Sequence, residues 1–187
     1  MARILRVFLS LFLLLTAGCI THNVVKDYPT YLRNNPSPTA QFPANLNYTL
    51  APSFDRTPVR IIAASVGAAH RWYVDLSAII PDYLQAQGLR PAAAATAAGP
   101  SAGADVLVLD TAYFSFADGT AHVDLSVSLS HNHALVLSKQ YSGDGNKQLG
   151  RMFAAGPLGM TRVVLSSTTA ALDKIFAQVA SDLRHQK

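Results

Sequence analysis

Glutamate is absent from this chain of 187 residues, so its eleven acidic residues are all aspartates. None of them stands in a recognisable catalytic motif, and neither a G-x-S-x-G elbow nor an S-x-x-K pair occurs. Only 14% of the residues are charged. Because Lys and Arg do not cluster in the sequence, we expect no basic patch of the kind that binds nucleic acid. We therefore expect a protein that is not an enzyme, needs no cofactor and binds no nucleic acid.

Cysteine occurs once, as Cys19, and a long hydrophobic run is also lacking. The apolar stretch at residues 7–15 is much shorter than the roughly 20 residues that a membrane-spanning helix needs. Arg3 and Arg6 precede this stretch, and the small residues at 16–18 follow it. A basic start, a short apolar run and small residues are the layout of a signal peptide, which we predict at residues 1–18.

The end of this segment, Leu15 to Cys19, resembles the lipobox of bacterial lipoproteins, although Thr16 stands where leucine is usual. The resemblance implies cleavage before Cys19, a diacylglycerol on its sulfur and an acylated, palmitate-type N-terminus. Ile20 and Thr21 follow the cysteine instead of an aspartate, which implies delivery to the outer membrane. The expected location is the outer membrane with the chain facing the periplasm, and the first expected partner is the membrane itself, through this anchor.

Residues 19–58 are predicted to form a tether, because they contain six of the ten prolines and show no helical or strand periodicity. Apolar residues such as Tyr28, Tyr31, Leu32, Phe42 and Leu46 interrupt the tether. For residues 47–54 we predict packing onto the folded domain, as an edge strand or a fixed lead-in. For residues 28–42 two interpretations stay open: these residues pack onto the folded domain, or they form a docking segment that folds on a partner.

Residues 59–187 are long enough for one hydrophobic core, and we predict an α+β domain with the order β-α-β-β-β-α. The clearest pattern is at residues 120–130, where apolar and polar residues alternate strictly. With residues 104–116 and 134–142 it predicts a three-stranded antiparallel meander, covered on one face by helices. The closing helix is predicted from the apolar stripe that begins at Val164. Within residues 76–89, Pro81 leaves two options: a helix that begins near Ile80, or a kinked one.

The stretches "ADVLVLDTAYFSF", "VDLSVSLS", "LSKQYSGDGN" and "TTAALDKIFAQVASDL" are similar to those of Gram-negative lipoproteins of the YajG type. More loosely they resemble the PqiC-like auxiliary lipoproteins of ABC-type transport systems. The likeness covers roughly residues 59–183 and implies a periplasmic domain that binds an envelope protein.

Two segments are candidate contact surfaces. Trp72 and Tyr73 lie beside Arg71, a combination that is enriched at protein contacts, but they could equally close one end of the core. Phe153 and Leu158 lie in the apolar, Gly-rich stretch 153–160, which is either a loop over the core or an exposed lip for a lipid or a protein.

His131 and His133 are weak candidates for metal ligands, with His122 on the neighbouring strand. Imidazoles bind zinc or copper, yet a hairpin connection explains these polar residues equally well, and no nearby Cys or carboxylate completes a ligand set. We therefore predict no metal site.

Three functions remain, in decreasing order of preference. The first is a non-enzymatic outer-membrane lipoprotein that binds another envelope component. The second is an accessory lipoprotein of an ABC-type or lipid transport system. The third is a metal-binding protein that uses the surface histidines.

Overall fold

The computed structural model describes residues 19–65, 68–92, 105–131, 134–148, 150 and 156–185. These ranges contain eight strands and three helices. The strands are β1 (Ile20–Asn23), β2 (Leu46–Leu50), β3 (Val59–Ser65), β4 (Ala68–Val74), β5 (Arg90–Pro91), β6 (Asp105–Ala117), β7 (Thr120–His131) and β8 (Ala134–Asp144). The helices are α1 (Val24–Asn34), α2 (Leu76–Ala86) and α3 (Gly156–His185). The predicted signal peptide lies outside the described residues.

The strands form two mixed sheets, and the predicted fold class is therefore wrong. One sheet has the order β1-β4-β3 and the other the order β5-β2-β6-β7-β8. β1 pairs parallel with β4, and β2 pairs parallel with both β5 and β6. The chain is thus a mixed α/β protein and not a three-stranded meander with the order β-α-β-β-β-α. The parallel pairs join strands that are far apart in the sequence, which local periodicity cannot reveal.

The segment that was predicted as a tether contains β1, α1 and β2 and contributes to the core. Val24, Tyr28 and Leu32 recur every four residues and form the buried side of α1. β2 lies inside the five-stranded sheet, between β5 and β6, with Leu46 and Tyr48 buried. The apolar residues of this segment therefore pack onto the domain.

β6, β7 and β8 pair antiparallel and form the larger part of the five-stranded sheet. A two-residue turn joins β6 to β7, with positive φ angles of 51° at Asp118 and 71° at Gly119. Such φ angles match the right-handed twist of a hairpin and favour an Asp-Gly pair. The apolar set of β7 lies on the buried face, which α3 covers. This set is Ala121, Val123, Leu125, Val127 and Leu129.

α2 runs through Pro81 and begins at Leu76, four residues before the start near Ile80 that was one of the two options. The Asp75 carboxylate caps it by accepting a hydrogen bond of 2.8 Å from the backbone N–H of Ser77. Gly88, with φ of 87°, follows the end of the helix, as a glycine in the left-handed region commonly does. The buried side of α2 packs Tyr83 against Phe176 of α3, with ring centroids 5.3 Å apart.

Candidate functional site

An apolar cavity of about 310 Å³ opens at one end of the five-stranded sheet. At this end β2, β6 and β8 begin, while β7 and α3 end. Each of these elements contributes one or two side chains, so the cavity exists only in the assembled fold. Its lining consists of Pro43, Leu46, Leu129, Val136 and Leu183, with Asp105 and His131 as the polar members.

A bulge in β8 turns Val136 toward this cavity. Leu129 pairs with Leu137 and Ser130 pairs with Leu135, which leaves Val136 as an extra residue between them. Bulges re-aim a side chain in this way, often next to functional sites. Val136 lines the cavity and stays 47% exposed, so the wall of the cavity carries apolar surface that solvent can reach.

The polar edge of the cavity is a pair of groups that face each other across β6 and β7. Nδ1 of His131 lies 2.5 Å from Oδ1 of Asp105, and the two residues are direct partners in the strand register. Ligand sites are commonly apolar pockets of roughly 300 to 1,000 Å³ with a few polar groups that orient the ligand. At the lower end of that range, this cavity suits one large apolar side chain or the end of an acyl chain.

The solvent face of the same sheet holds a second polar cluster, centred on His122. Its Nδ1 lies 2.7 Å from Asp144 and its Nε2 lies 3.2 Å from Asp124. The bond to Asp144, opposed by desolvation, raises the pKa of His122, which favours the imidazolium form. Ser142 also donates to Asp124 and not to the histidine. With both ring nitrogens facing carboxylates, His122 is placed to hold positive charge and not to act as a base for a serine nucleophile.

The predicted metal ligands are not brought together in the part of the chain that is described. His131 lies at the rim of the apolar cavity, His133 lies outside the described residues, and His122 belongs to the other cluster. No group of three or more His, Cys or Asp side chains within the described ranges is arranged to hold a metal ion.

The two aromatic candidates lie on opposite faces of β4. Trp72 is only 1% exposed, and its Nε1 donates a 2.9 Å hydrogen bond to the Thr161 hydroxyl of α3. His22 stacks on its indole with ring centroids 4.9 Å apart, and the Nε2 of His22 lies 3.0 Å from Nδ1 of His70. Burial lowers the pKa of His22, and the neighbouring His70 lowers it further. Tyr73 points to the other face and is partly exposed.

The remaining candidate residues are Cys19, Phe153 and Leu158. Cys19 is exposed and stands one residue before β1. Phe153 lies outside the described residues. Leu158 belongs to the first turn of α3, and its side chain lies outside the described part of the structure.

The sequence did not point to the apolar members of the cavity. Leu46 lies in the segment predicted as a tether, and Leu183 belongs to the apolar stripe of the closing helix, a pattern that indicates a buried face and not a cavity. A signal in the sequence is the run Ala134-Leu135-Val136-Leu137, four consecutive apolar residues next to a strictly alternating segment.

Comparison of the chain with known protein families, with curated proteins and with solved structures finds no match. The resemblance to YajG-type and PqiC-like lipoproteins therefore stays a prediction. Among the described helices, none is both long enough and apolar enough to cross a membrane.

Proposed function

We propose that the chain is a non-enzymatic outer-membrane lipoprotein, anchored through Cys19, whose periplasmic domain binds another envelope component in the apolar cavity. The observation that carries the binding role is the cavity itself, with Val136 47% exposed on its wall. Soluble proteins rarely leave large apolar side chains clustered at a concave site unless something binds there. The anchor rests on the lipobox-like sequence before Cys19.

A protein component is favoured over a whole lipid because of the size of the site. A cavity of about 310 Å³ accepts a single anchoring side chain, and such anchors dominate binding energy at protein interfaces. The second candidate, an accessory role in lipid transport, uses the same apolar walls for the end of one acyl chain. The Asp105–His131 edge would then face the polar end of that ligand.

The binding role is tested by filling the cavity from its half-exposed wall. Val136→Trp is expected to abolish recovery of the partner when the tagged protein is isolated from membranes, since the indole occupies the space. Tyr113→Trp is the matched control: Tyr113 is 59% exposed on β6, roughly 26 Å along the strand from Asp105. A photo-crosslinking residue at position 136, but not at 113, is expected to give a protein adduct.

The outcomes separate the two candidates. A protein adduct at position 136 that Val136→Trp removes from the isolated complex supports the leading proposal. Acyl lipid that co-purifies with the wild type and is lost in Val136→Trp supports the lipid role instead. If Val136→Trp and Tyr113→Trp recover the same protein and lipid, the cavity is not the binding site. The anchor is tested apart from this, because Cys19→Ala should move the chain from the outer-membrane fraction to the soluble one.

A further inference from the structure

The face of the three-stranded sheet that points away from the core carries two arginines beside apolar and aromatic side chains. Ile61 of β3 and Trp72 and Val74 of β4 are buried. Because side chains of a strand point to opposite sides in turn, Arg60 and Ile62 lie on the outer side of β3, and Arg71 and Tyr73 lie on the outer side of β4. The register aligns Ile62 with Arg71 and Arg60 with Tyr73. We call these four residues the arginine face.

The two guanidinium groups of the arginine face have no anionic partner in the described part of the chain. None of its ion pairs involves Arg60 or Arg71. The Nε atom of Arg71 is buried and lacks a hydrogen-bond acceptor among the described residues. Because this atom is shielded from outside contact, an anion from outside the chain would pair with the terminal nitrogens of the guanidinium group instead, and would offset the cost of its unpaired charge.

Apolar and aromatic residues surround these charges. Ile62 is 54% exposed, more than most large apolar side chains of the described chain, and Tyr73 is partly exposed beside it. Arginine next to tyrosine and a protruding aliphatic side chain suits the boundary between phospholipid headgroups and acyl chains. An anion in solution would pair with the arginines but would make no favourable contact with Ile62.

The predicted anchor lies next to this face. Cys19 directly precedes β1, and Thr21 of β1 is the register partner of Arg71. Two residues of extended chain span roughly 7 Å. An acyl chain on Cys19 would therefore hold the edge of the arginine face close to the headgroup layer, with no intervening linker.

We propose that the arginine face binds a membrane surface rich in anionic phospholipid, and so orients the domain against the bilayer. Its position at the membrane rests on the proposed anchoring through Cys19, whereas its affinity for anionic lipid is a property of the folded domain alone. A lipid anchor then sets the distance of the domain from the bilayer, and the arginine face sets its orientation.

The test uses the unacylated chain from residue 19 onward with Cys19→Ser, which contains every described strand and helix. Partition is measured by co-sedimentation with vesicles of phosphatidylglycerol mixed with phosphatidylcholine, and with vesicles of phosphatidylcholine alone. We expect clear binding to the anionic vesicles that weakens as salt is added. Each arginine near an anionic surface contributes about five-fold, so Arg60→Gln with Arg71→Gln should lower the partition coefficient on the order of twenty-fold.

The matched control is Arg33→Gln with Arg90→Gln, which removes the same charge from two exposed positions elsewhere. It should change partition by less than about two-fold. Ile62→Ser should weaken binding to anionic vesicles without changing its salt dependence, because it removes only apolar contact. Urea unfolding midpoints confirm that each variant is folded.

Equal losses in the two double variants, or equal partition to both vesicle types, would overturn the arginine face as a membrane site. Binding of inorganic phosphate at Arg71 without any vesicle binding would overturn it as well. These results are independent of the anchor: if Cys19→Ala still fractionates with the outer membrane while the vesicle assay succeeds, the anchor fails and the arginine face stands.

Discussion

Replacing Gly143 by alanine tests how closely α3 approaches the five-stranded sheet. Gly143 lies on the core-facing side of β8, opposite Val123 of β7. A Cβ atom there would lie 2.5 Å from the backbone oxygen of Ala171 and 2.9 Å from Cγ1 of Ile175. Real Cβ atoms essentially never come within 3.0 Å of another heavy atom, so something must move.

The expected loss of stability depends on which atoms the added Cβ would contact. The Ile175 side chain can change rotamer, but the Ala171 oxygen belongs to the helix backbone and cannot rotate away. To reach an ordinary contact of 3.4 Å, β8 and α3 must separate by roughly 1 Å, which loosens the surrounding packing. Overpacking of a core costs about 1–3 kcal/mol, and we expect Gly143→Ala at the upper end of that range.

The assay is urea unfolding followed by circular dichroism, with the slope used to check that the unfolding reaction is unchanged. Gly150→Ala is the control, since nothing lies within 4 Å of the added Cβ, and its effect should stay within about 0.5 kcal/mol. A cost for Gly143→Ala no larger than that of Gly150→Ala would refute the close approach of α3 to β8.

Two further predictions concern α1 and the His122 cluster. Leu32→Ala should lower the free energy of unfolding by about 2–5 kcal/mol, because Leu32 is buried against the core, while Lys26→Ala on the exposed side of α1 should have little effect. Equal, negligible effects would mean that this segment is a linker after all. His122→Gln should lower the same free energy more near about pH 6 than near about pH 9. The sign follows from the raised pKa of His122 in the folded protein. The stabilisation is fully present when the pH is below the ordinary pKa of histidine, and it is lost as the pH rises through the pKa of His122 in the folded state. A deficit that is the same at both pH values would contradict the charge-stabilising role of this cluster.

Much of the C-terminal half could be predicted from local patterns. The alternation in β7 identified a strand with one buried face, because side chains of a strand point to opposite sides in turn. In the N-terminal half, Gly88 is a local stop signal for α2, since glycine tolerates positive φ. The stop signals and the periodicities are local, so a single sequence contains them.

The N-terminal third was predicted less well for a physical reason. α1 carries Pro29 in its interior and its buried positions are only Val24, Tyr28 and Leu32, too few for a distinct helical pattern in a Pro-rich segment. β1 has four residues, of which only His22 is partly buried. Such short elements are stable because of what they pack against, and their propensities alone do not reveal them.

The sequence by itself determined the antiparallel strands and the amphipathic closing helix. It also showed that the single cysteine, Cys19, directly follows a signal-like segment, and that no known catalytic motif occurs. The tertiary structure alone decided the two mixed sheets, the cavity and the arginine face. The physical reason is the same in each case: parallel pairing and concave sites join residues from distant segments, such as Leu46 with Leu183 or Ile20 with His70. Their proximity depends on packing across the whole fold, and no local spacing encodes it.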